Sequence, residues 1–146
     1  MARFSAAARS TGAGSTTLPL ESLYSPAGSG FYLREIGVFN TTATALAIAL
    51  VRESTAGTPG AAITAVKHDN ASPAAVVTPV NTHTVGPTLG APIRSADLGA
   101  AIGAGVIWTF YDNAGLIVPI GTANGLGIVI LTGTGQICDI YWTWDE

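Results

Sequence analysis

Two histidines, His68 and His83, a single cysteine, Cys138, and nine acidic residues are the groups in this chain that could hold a metal or move a proton. A transition-metal site could draw on the histidines with Asp69 or Asp139. Neither histidine has a partner at i+2 or i+4, however, and Cys138 is remote in sequence, so no ligand pair of the usual spacing exists. Asp69-Asn70 and Asp112-Asn113 carry oxygen ligands suited to calcium. Both pairs read more simply as turns whose short polar side chains bond their own backbone. Serines and threonines are plentiful, but no Gly-x-Ser-x-Gly elbow frames any of them, and Cys138 falls in mid-strand with no histidine nearby. Glycoside hydrolysis needs a facing pair of carboxylates. Glu21, Glu35, Glu53 and Asp97 are available, and nothing in their spacing distinguishes them. The glycine-rich stretches at 12–14 and 121–127 lack the lysine and the following helix of a phosphate loop, and read as turns and bulges. These residues predict no catalytic centre, no metal and no cofactor.

Composition points to a chain covered by partners. Only 10% of the 146 residues are charged and 48% are hydrophobic, against about 25% charged in an ordinary soluble domain. Much of the remainder is Ala, Gly and Thr, which suits close packing against neighbours better than it suits a solitary surface. Net charge is -3, and the six basic residues are scattered along the chain. No basic patch could neutralise a nucleic-acid backbone, so no nucleic-acid partner is expected. The N-terminus lacks the continuous apolar run of a secretory signal, and no apolar stretch approaches the roughly 18 residues of a membrane span. With one thiol, these features predict a protein made in a reducing cytoplasm, without a membrane association.

The elements that must position these groups are strands. Residues 31–39 alternate strongly, with Tyr32, Arg34, Ile36 and Val38 on one face and Phe31, Leu33, Glu35 and Phe39 on the other. A turn at Asn40-Thr41-Thr42 and a second alternating run over 46–51 suggest an antiparallel hairpin, with an alanine-rich helix over 43–52 as the rival. Shorter strands follow at 63–67 and 76–85, where Pro79 argues for an edge position. The last third is dense in β-branched and aromatic residues. Runs at 106–111 and 116–120 flank a turn at Asp112-Asn113-Ala114-Gly115, and runs at 126–132 and 137–143 flank another at Gly133-Thr134-Gly135. The fold class predicted is all-β: a single-domain antiparallel β-sandwich, jelly-roll-like, over residues 31–146. Residues 1–30, broken by glycine and serine, are expected as an N-terminal arm or an irregular edge segment. Asp145 and Glu146 read as a solvated acidic tip. Trp108, Tyr111, Tyr141, Trp142 and Trp144 could line a sugar-binding face, but shared parity and apolar flanks favour core or subunit contacts.

The stretch Arg34-Glu35-Ile36-Gly37-Val38-Phe39-Asn40-Thr41-Thr42, followed by a strand ending in Val51-Arg52, resembles a small class of structural proteins of tailed-phage virions. So do His83-Thr84-Val85-Gly86-Pro87-Thr88-Leu89-Gly90, Gly121-Thr122-Ala123-Asn124-Gly125 and the closing residues 132–146. The resemblance covers most of the chain from about residue 31 and rests on no defined motif. It implies a non-enzymatic virion protein, a capsid decoration (cement) protein bridging major capsid subunits, with a tail, fibre or head–tail component as the alternative. A free carbohydrate-binding or adhesion module is the reading from outside that class. The partners implied are the major capsid protein or other virion proteins, and a homo-oligomer, a trimer foremost. The contact residues expected are Phe4, Arg9, Phe31, Tyr32 and Arg34, with Tyr141, Trp142 and Trp144.

Overall fold

A computed structural model describes residues 1–110 and 115–146. The described residues form no helix. Eleven strands follow in order: β1 (Arg3–Arg9), β2 (Glu21–Tyr24), β3 (Phe31–Asn40), β4 (Leu46–Glu53), β5 (Val66–Lys67), β6 (Thr78–Val80), β7 (Leu89–Leu98), β8 (Gly105–Thr109), β9 (Leu116–Val118), β10 (Gly125–Thr132) and β11 (Cys138–Asp145). They make two antiparallel sheets. Sheet A runs β5-β1-β11-β3-β8, with β9 also on β3, and sheet B runs β6-β2-β10-β4-β7. Without the short outer strands β5 and β6, the orders β1-β11-β3-β8 and β2-β10-β4-β7 are those of a jelly roll.

The core lies between the sheets. Phe4, Phe31, Ile36, Trp142 and Trp144 from sheet A pack with Leu23, Ile48, Leu50, Leu126 and Ile128 from sheet B. The indole Nε1 of Trp142 crosses this core to donate to Glu21 Oε2 at 3.0 Å. Residues 54–88 are an insertion between β4 and β7. It adds β5 to the β1 edge of sheet A and β6 to the β2 edge of sheet B, so both neighbouring edges on that side are covered. Pro79 does sit in an edge strand, β6, where its missing N–H costs no ladder bond.

Several local expectations are corrected. Residues 1–30 are not an arm: β1 lies between β5 and β11, and β2 between β6 and β10. The glycine- and serine-rich residues 10–20 that suggested disorder are the crossover between the two sheets. The segments at 31–40 and 46–53 are strands, but they do not form a hairpin, because β3 is in sheet A and β4 in sheet B; β10 and β11 are divided in the same way. A short polar connection fits an arch between sheets as well as a hairpin within one, and alternation reports a buried face without naming the partner strand. The return expected after residue 115 is also absent. Residues β8 105–109 pair with 39–35 of β3 and β9 116–118 with 33–31, so the chain keeps its direction and makes one interrupted edge strand. Tyr111 and the turn residues Asp112, Asn113 and Ala114 lie outside the described residues.

A bulge changes the parity of β3. The register against β11 shifts between Thr143 and Trp144, pairing Glu35 with Thr143 but Leu33 with Trp144 and leaving Arg34 as the extra residue. Phe31 and Leu33 on one side of the bulge and Ile36 and Val38 on the other thereby share the core face, which unbroken alternation would forbid. Arg34 Nε donates to Asp145 Oδ2 at 2.6 Å, and Glu35 accepts from the Tyr141 hydroxyl at 2.8 Å; both contacts lie on the outer face of sheet A.

The C-terminus is not a solvated tip. Asp145 is buried and also takes Arg3 through Nε at 2.7 Å and a second guanidinium nitrogen at 3.1 Å. The Glu146 carboxylate accepts from the backbone N–H of Val76 and Val77 and from Trp144 Nε1. Asp145→Ala is therefore expected to destabilise the fold by about 2 kcal/mol, less than for a fully buried pair because Arg3 is half exposed. Chemical denaturation of the variant beside Arg3→Ala, which should cost less, measures the difference.

Candidate docking face and a buried acid–histidine bridge

The two outer faces of the sandwich differ. That of sheet B is overlaid in part by residues 10–20 and 81–88, while Pro92, Ser95 and Asp97 of β7 stay exposed on it. Gly12 N–H donates to Thr82 Oγ1, Thr11 N–H to Asn81 Oδ1, His83 N–H to the Pro19 carbonyl and Ile130 N–H to the Ser15 carbonyl. The outer face of sheet A carries no such cover among the described residues. Its register aligns Ala7, Tyr141, Gly37 and Ile107 in one row, Arg9, Asp139, Phe39 and Gly105 in the next, and Arg3, Asp145, Tyr32 and Ile117 in a third. Directly opposed residues share a face, so Arg3, Arg9, Asp139 and Asp145 stand over β1 and β11 with Arg34 and Glu35 beside them on β3. The apolar surface of Tyr141, Phe39, Ile107 and Ile117 runs from β11 across β3 to β8 and β9.

The charged half is internally neutralised. Arg9 holds Asp139 through two nitrogens at 2.7 and 2.9 Å, and that contact keeps the carboxyl below the usual carboxylate range. On the apolar half, Tyr141 and Phe39 lie nearly parallel with ring centroids 6.4 Å apart. Each ring lies across a glycine: a Cβ at Gly37 would run into Tyr141, and one at Gly105 into Phe39. Ile107 is 52% and Ile117 48% exposed, and Val66 on the far edge 61%. A neutralised polar half beside exposed aliphatic and aromatic surface suits contact with another protein.

The expected contact residues divide by face. Arg9, Tyr32, Arg34 and Tyr141 lie together on the outer face of sheet A. Phe4, Phe31, Trp142 and Trp144 are core residues, at most 1% exposed, and make no surface contact. Phe4, Trp142 and Trp144 have the parity opposite to Arg9 and Tyr141 on their own strands, and Phe31 that opposite to Tyr32, so all four point inward; Phe4 stacks on Trp144 at 5.9 Å. Trp108 is likewise packed against the core, so the tryptophans form no sugar-binding face.

Sequence reasoning missed a second constellation. On the outer face of sheet B, beneath residues 81–88, Ser22 Oγ donates to Glu53 Oε1 at 2.8 Å and lies 2.9 Å from His83 Nε2. All three residues are buried, and neither Glu53 Oε2 nor His83 Nδ1 has a hydrogen-bond partner. Burial raises the Glu53 carboxyl to about 7 and lowers the His83 imidazole. Space for the bridge comes from Gly125 and Gly127 on β10: a side chain at Gly125 would meet the Tyr24 ring 2.6 Å away, and one at Gly127 would meet Glu53. Two glycines at i and i+2 of a strand strip one face of side chains, which was the available signal. The arrangement is not that of an acyl-transfer triad. There the carboxylate holds the histidine, whereas here it holds the serine, and Ser22 is wholly buried.

The remaining candidates have local roles. His68 Nε2 lies 2.7 Å from Ser5 Oγ, and Asp69 Oδ1 accepts from Ala71 N–H, as an Asx turn requires. Burial raises the Cys138 thiol to about 12, so it stays protonated and unreactive at neutral pH. Glu21 and Glu53 are buried on opposite faces of sheet B, and Glu35 is engaged with Tyr141.

No protein-family pattern, curated protein sequence or solved structure matches this chain.

Proposed function

We propose that this chain is a non-enzymatic structural protein of a virion, a decoration protein that binds and bridges capsid subunits and its own copies through the outer face of sheet A. The observation that carries the reading is the asymmetry of the sandwich: loops cover part of one outer face, and the other presents aliphatic and aromatic surface beside self-paired charges. The jelly-roll order, the low charge content and the resemblance of residues 31–146 to virion proteins support it. Repeated over many copies, a modest face of this kind gives a stable lattice.

The test is the mass-spectrometric ratio of this protein to the major shell protein in gradient-purified particles. Copy numbers comparable with the shell protein support decoration, and a small fixed number indicates a tail or fibre position instead. Absence from the particles overturns the virion reading. The double variant Ile107→Asp, Ile117→Asp should fold normally, because both side chains are solvent-facing. It should bind particles more than about tenfold more weakly, equivalent to ~1.4 kcal/mol. Unchanged binding would remove this face from the proposal.

A further inference from the structure

The Glu53–Ser22–His83 bridge joins the end of β4 and the middle of β2 to the segment lying over them. That segment also holds its neighbour down, since Asn81 and Thr82 anchor residues 11 and 12, and Thr82 Oγ1 donates to the Leu20 carbonyl. We propose that residues 81–88 are a lid latched by this bridge in its neutral form, and that ionisation of Glu53 opens the lid.

The geometry supports this. A buried carboxylate is stable as an anion only with several donors or a cation around it. Among the described residues, Glu53 faces Ser22 and Tyr24 from β2, His83 from the lid, and Gly125 and Gly127 from β10, which offer no side-chain donor. The Ser22 hydroxyl is the donor in hydrogen-bonding range of Oε1, and Oε2 has none. The Tyr24 hydroxyl lies 3.4 and 3.3 Å from the carbonyls of Thr55 and Ala56, and it also faces Glu53 and lowers that carboxyl, an effect that burial outweighs. The neighbouring cation, Arg52, donates instead to the Ile117 carbonyl at 2.9 Å. Around His83 stand Ser22, the Tyr24 ring at 5.9 Å and the Val85 backbone. Protonating the imidazole leaves its Nε2–H on Ser22, so the acid side does not break the bridge. Loss of the Glu53 proton places an under-solvated anion beneath the lid, and water reaches it only if the lid lifts. The raised carboxyl of Glu53 puts this change near neutrality. This proposal is independent of the docking reading.

Hydrogen–deuterium exchange of the intact protein, expressed as protection factors, tests it at the amides of His83, Thr84 and Gly12. Between pH 6 and pH 8.5 their protection should fall by about tenfold or more beyond any fall at β3 and β11 amides, which report the global change in stability. Glu53→Gln keeps an oxygen for Ser22 and cannot ionise, so its lid should show no such fall. Ser22→Ala removes the bridge itself and should leave the lid poorly protected at pH 6 as well as at pH 8.5, which provides an independent reading if Glu53→Gln folds poorly. Lid protection independent of pH would overturn the proposal. So would exchange in step with the core strands, or a Glu53→Gln protein that behaves like wild type.

Discussion

Trp142→Ala is expected to destabilise the protein by about 4 kcal/mol, near the upper range for loss of a large aromatic core residue. Trp142 is wholly buried on β11, at the centre of sheet A, and touches both sheets. Its removal leaves a cavity between them and also takes the donor from Glu21 Oε2, whose other oxygen already lacks a partner. Trp142→Phe separates the two effects. It retains most of the volume and loses the N–H, so it should cost about 1–3 kcal/mol. Urea denaturation of both variants measures the difference: a lower midpoint at unchanged slope is the expected result. Equal losses for the two variants would assign the effect to the hydrogen bond instead of the packing.

Stability is expected to fall as pH rises from mildly acidic to alkaline. Burial raises Glu21 to about 8, against the Trp142 hydrogen bond, which works to lower it. The folded protein therefore holds this proton more tightly than the unfolded chain does. The sign follows: the contribution is complete below the ordinary carboxyl range and is lost as pH climbs through about 8. Glu53, raised to about 7, acts in the same direction over a slightly lower window. Asp139 and Asp145, both lowered, act oppositely and lose their contribution only as pH falls below the ordinary carboxyl range. Maximum stability should lie on the acid side of neutrality. Thermal melts should drop by roughly 10 °C toward pH 9, the equivalent of a few kcal/mol for a domain of this size. Glu21→Gln should flatten most of that slope. A melting temperature that rises with pH would contradict the burial of these acids.

The residues that open the Glu53 cluster and those that close the core illustrate what was legible before the fold. Period-two alternation over 31–39 and 137–144 was enough to identify strands, because burying one face of an extended chain requires it. The short apolar runs likewise set the expectation of no membrane-spanning helix, and among the described residues no helix is long and apolar enough to cross a membrane. The inward parity of Trp142 and Trp144 was visible too, although it could not say whether the apolar face met a core or a neighbour.

Partner choice was decided only by the tertiary structure. Whether β3 and β4 pair or face each other depends on long-range sheet order, and a polar connection of a few residues allows both. The bulge at Arg34 is set by its partner strand β11, more than a hundred positions away, so local alternation assigned that residue and its neighbours to the wrong faces. Burial of Asp145 likewise required Arg3 and Arg34 to arrive from two other strands. Ser22, Glu53 and His83 are separated by 31 and 61 positions along the chain. Side chains so far apart carry no spacing pattern: the pairing of β2 and β4 on either side of β10 brings Ser22 to Glu53, and residues 81–88 lying over sheet B bring His83.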